Sequence, residues 1–268
     1  MIDPADDLAL ALTLAGEADL IAFDRYRAQD LEVQHKADLT EVTDADRRIE
    51  REIRDRLSAA RPGDGVLGEE FGEQAGTGAS AGRTWIVDPI DGTSNFVRGI
   101  PNWGLLLALA VDGEPIVGVV SAPALGRRWW AAPGHGAWVQ EHGGPPRRIR
   151  VSAVPRLAEA SISYNSLKGW DDAGRSEQLL TLSRTVARTR AYGDLWSYML
   201  VAEGALEAAG EFDLKPWDIA ALVPIVREAG GRTSDFGGGS DLRSGGLLAS
   251  NGLLHDALLA VVGDGSAR

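Results

Sequence analysis

The sequence predicts a layered protein of the α/β or α+β class, and three observations carry that expectation. Helical periodicity occupies about the first 60 residues, short apolar runs separated by Gly, Pro and Asp follow from Gly82, and helical periodicity returns from Glu177. The chain has 268 residues, 44% of them hydrophobic, which suits one domain, 1–268, with approximate halves 1–150 and 151–268 and a hinge around Pro145 to Pro155. A chain of this size buries roughly three quarters of its unfolded surface, enough for a core without staples.

From Asp6 to Arg27, Leu8, Ala11, Leu12, Ala15, Ala18, Ile21 and Ala22 recur at three- and four-residue steps, the period of an amphipathic helix. A second helix starts at Thr43-Asp44-Ala45-Asp46, which offers an N-cap and an acidic first turn. Ile49, Ile53 and Leu57 form its stripe, and it ends before Pro62-Gly63. Between the two helices, Asp30 to Val42 has no clear period and reads as a long loop. The expected strands are Trp85 to Val87, Gly104 to Val111, Ile116 to Ser121, Trp129 to Ala131, Ala137 to Val139, Ile149 to Val151 and Ser161 to Tyr164. Asp112-Gly113 and Gly143-Gly144 serve as hairpin connections. Four helices close the chain: Glu177 to Val186, Asp194 to Glu203, Trp217 to Ala229 and Leu253 to Val262.

Composition excludes several function classes. With 27 Lys and Arg against 39 Asp and Glu the formal charge is −12, which opposes binding to a nucleic-acid backbone. There is no cysteine, so disulfides and thiolate metal sites are out. Apolar stretches such as Leu105 to Val111 fall far short of the roughly 18 to 20 residues that span a bilayer, and Met1-Ile2-Asp3-Pro4 lacks a basic leader region. The expectation is a soluble cytoplasmic protein with neither nucleic acid nor membrane as partner. His35, His135, His142 and His255 show no metal-site spacing and read as surface or capping residues, Trp85 and Trp129-Trp130 as core anchors, and Gly237-Gly238-Gly239 as a turn.

The chemistry concentrates in carboxylates. An apolar strand runs into Asp88, Pro89 stops it from continuing as a paired central strand, and Asp91 follows just before Gly92-Thr93. Two carboxylates at a strand end can converge on a hard cation such as Mg²⁺, while Gly92-Thr93-Ser94 would present backbone N–H groups to an anion. Glu69-Glu70 ends a second apolar run, and Asp218 stands at a helix start. Taken singly these acids are turn formers and caps. Taken together they are improbable as coincidence, and a cation site and an anion site would lie side by side.

These segments resemble the inositol monophosphatase superfamily, the Mg²⁺-dependent, lithium-sensitive phosphatases, at Gly68-Glu69-Glu70, at Asp88-Pro-Ile-Asp-Gly-Thr93, and at Trp217-Asp218 with Glu228-Ala-Gly-Gly231. The resemblance covers nearly the whole chain. It implies an αβαβα sandwich, usually dimeric, and two or three Mg²⁺ ions held by Glu69, Asp88, the Ile90 carbonyl, Asp91 and Asp218, with Asp88 bridging two of them. It also implies a water-activating threonine and aspartate at Thr93 and Asp44, with Glu70 beside the site and Gly92, Thr93 and Ser94 on the phosphate.

Other segments bear on the alcohol. Val117 to Leu125, Arg127 to Ala131 and Asn95 to Gly99 resemble the actinobacterial histidinol-phosphate phosphatases of that superfamily, although Ser94 stands where many of them have Lys. Arg190, Gly193, Asp194 and Glu211 fall where family members contact the substrate's organic half, and the two acids suit a cationic alcohol. The resemblance thus implies hydrolysis of histidinol phosphate in histidine biosynthesis. An inositol-1-phosphatase or broad small-molecule phosphatase, and a non-catalytic metal- or phosphate-binding member, stand as alternatives.

Overall fold

The computed structural model describes residues 4–37 and 39–263, and five layers alternate through it. The first layer holds α1 (Pro4–Arg25), a hairpin of β1 (Val33–His35) and β2 (Glu41–Thr43), and α2 (Asp44–Ala60). Thr43 caps α2: its hydroxyl accepts from the Ala45 and Asp46 N–H groups while the Asp46 carboxylate accepts from the Thr43 N–H, a reciprocal capping box.

The second layer is a sheet of β3 (Gly65–Gly68), β4 (Gly72–Gln74), β5 (Arg83–Asp91), β6 (Gly104–Val111), β7 (Glu114–Ala122), β8 (Arg127–Ala132), β9 (Gly136–Glu141) and β10 (Arg147–Arg148), with a short helix α3 (Thr93–Val97) after β5. Among the described residues its order is β10-β9-β8-β7-β6-β5-β3-β4, antiparallel except where β3 runs parallel to β5. Both faces are covered. Leu105, Leu107 and Leu109 of β6 pack toward Leu14, Ile49 and Ile53 of the first layer, and Leu106, Ala108 and Ala110 pack toward the other side. That is why β6 reads as an unbroken apolar run instead of an alternating one.

The second half supplies β11 (Ser161–Ser163), α4 (Leu167–Asp172), α5 (Ser176–Thr185), β12 (Arg188–Arg190), α6 (Asp194–Ala202), β13 (Ala208–Phe212), α7 (Pro216–Ile219), α8 (Leu222–Glu228), β14 (Arg232–Ser234), β15 (Gly246–Ser250) and α9 (His255–Val262). Its sheet runs β12-β11-β13-β15-β14. Helices α6 and α8 form the middle layer, where Tyr198, Met199, Ile225 and Val226 meet Val120 and Trp129 from one sheet and Leu247 and Ala249 from the other. Helices α4, α5 and α9 close the outer face through Trp170, Leu182 and Leu258. No helix among the described residues is long and apolar enough to cross a membrane.

The structure departs from the sequence reading in a few places. Part of the Asp30 to Val42 segment is the β1–β2 hairpin; its first strand is exposed along its whole length, so no apolar alternation marks it. β5 does not stop at Pro89. Its ladder with β6 runs to Asp88↔Leu106 and resumes at Asp91↔Gly104, so Pro89 and Ile90 form a bulge in which the missing proline N–H costs no pairing. Asp112 and Gly113 turn as expected, both with positive φ, but the second turn is His142-Gly143, one residue early. Ile149 to Val151 parts from the sheet after its first residue: Ile149 still donates its N–H to Ala137 O of β9, whereas Val151 donates to Ala229 O. The Trp217 to Ala229 helix is split into α7 and α8, because Pro224 has no N–H for the Ala220 carbonyl and its ring crowds that turn. His255 opens α9, yet it is buried, its two ring nitrogens each 2.9 Å from the hydroxyls of Ser234 and Ser250.

Candidate active site

The parallel pairing of β3 with β5 sets the site's first edge. Gly68 lies opposite Val87, so Glu69 leaves β3 beside Asp88, and the Glu69 N–H donates to Val87 O at 3.2 Å. The turn after β3 is held from below by Glu50 of α2, which is fully buried. Its carboxylate accepts from the N–H groups of Glu70 (2.7 Å) and Phe71 (3.2 Å) and from Arg54 (2.8 Å). A Cβ on Gly68 would run into that carboxylate, which is why glycine ends the strand.

The bulge in β5 folds Asp88 and Asp91 toward one another, and α7 brings Asp218 to them. One carboxylate oxygen of each lies within 4.8 Å of the others. Each is anchored by the backbone: Asp88 accepts from the Ile90 N–H (3.0 Å), Asp91 from the Leu195 N–H at the start of α6 (2.7 Å), and Asp218 from the Lys215 N–H (2.8 Å). Burial is the main cause that raises their pKa values. The charge of Glu69 adds to it at Asp88, that of Asp194 at Asp91, and Asp218 is pushed up to about 7. One buried and two half-buried carboxylates, converging without a basic side chain bonded to them, form a donor set for hard cations, and a hard divalent ion such as Mg²⁺ fits it. Glu69 lies outside this triad. Its carboxylate and that of Glu70 each take a 2.7 Å hydrogen bond from Lys36 Nζ, which the β1–β2 hairpin delivers.

Thr93 opens α3 behind Gly92, whose φ of 81° is the left-handed conformation glycine adopts freely. The Thr93 hydroxyl lies 2.9 Å from Ile90 O and 3.3 Å from Asp46 Oδ1. The partner aspartate is therefore Asp46 and not Asp44. Asp44, first residue of α2, turns away to pair with Arg25 at 2.8 Å, whereas Asp46 lies two residues on, on the inward face. Its other oxygen accepts from Thr43 Oγ1 at 2.5 Å. Burial pushes Asp46 up to about 7 against the hydrogen bonds from Thr43, and the charges of Glu70 and Glu69 add to the rise.

These residues line an open cleft of about 530 Å³, with Glu69, Asp88, Asp91, Asp218, Thr93 and Ser94 on its walls and His35, Thr40 and Arg98 among its other lining residues. The residues expected on the alcohol side fall into two groups. Asp194, at the start of α6 with φ 47°, accepts from Asn95 Nδ2 at 2.8 Å, and burial raises its pKa. Gly193 is the residue before it, at φ 85°. Glu211 on β13 accepts from Asn165 Nδ2 at 2.6 Å. It is pushed up to about 8, chiefly by burial and then by the charges of Asp194 and Asp218. Arg190 is not brought to them: its side chain is exposed and its guanidinium donates to Thr189 O at 2.7 Å. Sequence reasoning missed Asp46, Glu50, Lys36, Asn95 and Asn165. Only Asp46 carried a signal, the Thr-x-x-Asp spacing of a capping box.

The family model for the inositol monophosphatase family matches residues 3–266. A histidinol-phosphatase of Mycobacterium tuberculosis is 55% identical over 95% of this chain and 96% of its own length. A histidinol-phosphatase of Streptomyces coelicolor is 51% identical over 97% of each chain. Among solved structures, the extragenic suppressor protein suhB from Bartonella henselae superposes with a TM-score of 0.85 at 31% identity, covering 97% of this chain and 99% of that one. By fold, by sequence along almost its full length and by the relatives it matches, this chain belongs to the inositol monophosphatase family.

Proposed function

We propose that this protein is a Mg²⁺-dependent phosphomonoesterase that releases phosphate from histidinol phosphate. The observation that carries the reading is the convergence of Asp88, Asp91 and Asp218 for cations; Asp194, whose carboxylate lies beside Gly92, and Glu211 would supply negative charge for a cationic alcohol. The two histidinol-phosphatase relatives support the choice of alcohol.

Asp88, Asp91 and Asp218, joined by Glu69 and the Ile90 carbonyl, would hold the metal. When bound, divalent cations offset the charge of the phosphate and acidify water. Thr93 takes the proton of the attacking water as its own passes to the Asp46 carboxylate, the base within reach of that hydroxyl among the described residues. Gly92, Thr93 and Ser94 face the phosphate. Asp194 and Glu211 bind the ammonium and imidazole of the leaving alcohol, whose charge they balance.

The test is phosphate release from a panel of esters, with and without Mg²⁺. Histidinol phosphate should be preferred strongly over inositol 1-phosphate, and EDTA should abolish turnover. Asp194→Asn should lower that preference by roughly 10- to 150-fold, the range of one charge-assisted hydrogen bond. A wild-type preference for inositol 1-phosphate would overturn the named substrate and leave a phosphatase.

A further inference from the structure

The cleft carries a guanidinium that the mechanism does not use. Among the described residues that line it, Glu41, Glu69, Asp88, Asp91 and Asp218 are acids, and Arg98 is the one Lys or Arg. Arg98 is exposed, and no carboxylate pairs with it among the described residues; its Nε donates a 3.3 Å hydrogen bond to the neutral hydroxyl of Ser94. Lys36, by contrast, is taken up by Glu69 and Glu70. In a chain with 39 Asp and Glu against 27 Lys and Arg, a guanidinium with only a hydroxyl for partner, set in an acidic cleft, is placed for an anion that arrives from outside.

The backbone beneath that side chain is fixed. Arg98 closes α3, its N–H donating to Ser94 O at 3.2 Å, and the Ile100 N–H donates to Asn95 O at 2.9 Å. Gly99 turns the chain with φ 69°, and its carbonyl accepts from Arg27, just beyond α1, at 2.7 Å. Asn95 Nδ2 holds the far side of the turn through Asn102 O at 2.8 Å. Ser94 and Arg98 are four residues apart and share one side of α3, so the guanidinium moves on a base whose position relative to Thr93 and Ser94 is set.

We propose that Arg98 is a specificity-determining contact for the phosphate half of the substrate, receiving the phosphate group as it enters the cleft and holding it, with Ser94, from the side of α3. This rests on the reading of the site as that of a phosphomonoesterase. A phosphate ester meets five carboxylates on its way in, and a guanidinium offers it paired N–H donors and the opposite charge. The same charge repels the ammonium of a cationic alcohol. Arg98 therefore favours the pose with phosphate toward α3 and alcohol away from it, and it acts alike on any ester that carries a phosphate.

Arg98→Gln removes the charge from an exposed side chain and leaves the backbone bonds of α3 in place. The measurements are KM and kcat for histidinol phosphate and for inositol 1-phosphate, and the inhibition constant of inorganic phosphate, on wild type, Arg98→Gln and Arg98→Lys at saturating Mg²⁺ and at ionic strengths of about 0.05 and 0.5 M. At low salt both KM values and the phosphate constant should rise about 5-fold or more in Arg98→Gln, with kcat held within about twofold. The gap should narrow at high salt, and Arg98→Lys should recover part of the loss. Unchanged KM values and an unchanged phosphate constant overturn the proposal. So does a loss in kcat that Arg98→Lys fails to restore, which means that Arg98 shapes α3 around Thr93, and so does a loss confined to histidinol phosphate, which places Arg98 at the alcohol. A wild type that hydrolyses neither ester and is blind to phosphate overturns the phosphomonoesterase reading itself, and with it the role of Arg98.

Discussion

Asp46 and Asp44 are two residues apart, and the structure assigns them opposite fates. Asp46→Asn keeps the shape of a side chain that meets Thr43 N–H at 2.8 Å, Thr43 Oγ1 at 2.5 Å and Thr93 Oγ1 at 3.3 Å, but it removes the charge that makes this group a proton acceptor. Turnover should fall by about 10²-fold or more, the loss expected for a positioned proton-transfer group. Stability should fall by only about 1 kcal/mol, because the amide oxygen can still accept from the N–H of the cap residue Thr43, and Tm should drop by about 2 to 4 °C. Asp44→Asn breaks instead an ion pair with Arg25 in which the Asp44 side chain is 34% exposed, worth at most about 1 kcal/mol, and turnover should hold. The assay is initial-rate phosphate release from histidinol phosphate at saturating Mg²⁺, with Tm read alongside. Wild-type turnover in Asp46→Asn, or the same loss in Asp44→Asn, would refute the assignment.

Three further outcomes follow from the geometry. Asp88→Asn should abolish turnover while raising the Tm of the metal-free protein near pH 8, because it removes one of several buried carboxylates that repel one another; a lower metal-free Tm would contradict that picture. His255, with its pKa lowered to about 4 by burial, stays neutral in the native state, so between about pH 6.5 and 4 the unfolded chain binds a proton that the folded one does not. Stability should therefore fall as pH drops through that window, and His255→Gln should flatten that part of the pH–Tm curve; identical curves would exclude His255 as the source. Gly68→Ala should cost about 1 to 3 kcal/mol and weaken Mg²⁺ binding measured by calorimetry, since its Cβ displaces the Glu50 carboxylate that holds the Glu69-Glu70 turn.

Much of the fold was legible in the sequence, because helices that bury one stripe and strands that bury both faces leave opposite patterns. The α1 stripe and the apolar run of β6 are examples. What stayed hidden was set by contacts remote in sequence or by local backbone detail. The exposed β1 strand leaves no hydrophobic trace, the α7–α8 break depends on a single proline, and the residues that steady the acids, Glu50, Asn95 and Asn165, are ordinary polar residues until the chain folds. The triad acids were visible because each ends an apolar run or starts a helix. The resemblance was carried to Asp44 and not Asp46, and it failed there because a motif match alone does not say which side of a helix's first turn faces inward.

Among the hydrogen bonds that join the two halves, one reaches the aspartate triad. The Leu195 N–H at the head of α6 donates to Asp91 Oδ2 at 2.7 Å, so the helix that presents Asp194 also sets the position of a carboxylate in the aspartate triad. If Asp194 binds the alcohol as proposed, an alcohol that fits poorly and displaces α6 by a few tenths of an ångström would move Asp91 as well. Discrimination is then expressed in the rate of bond breaking and not only in occupancy. It also divides the sequence into two provinces. If the proposed alcohol side is right, changes on β13 would retune the alcohol alone, whereas changes at the head of α6 would shift Asp91 with it.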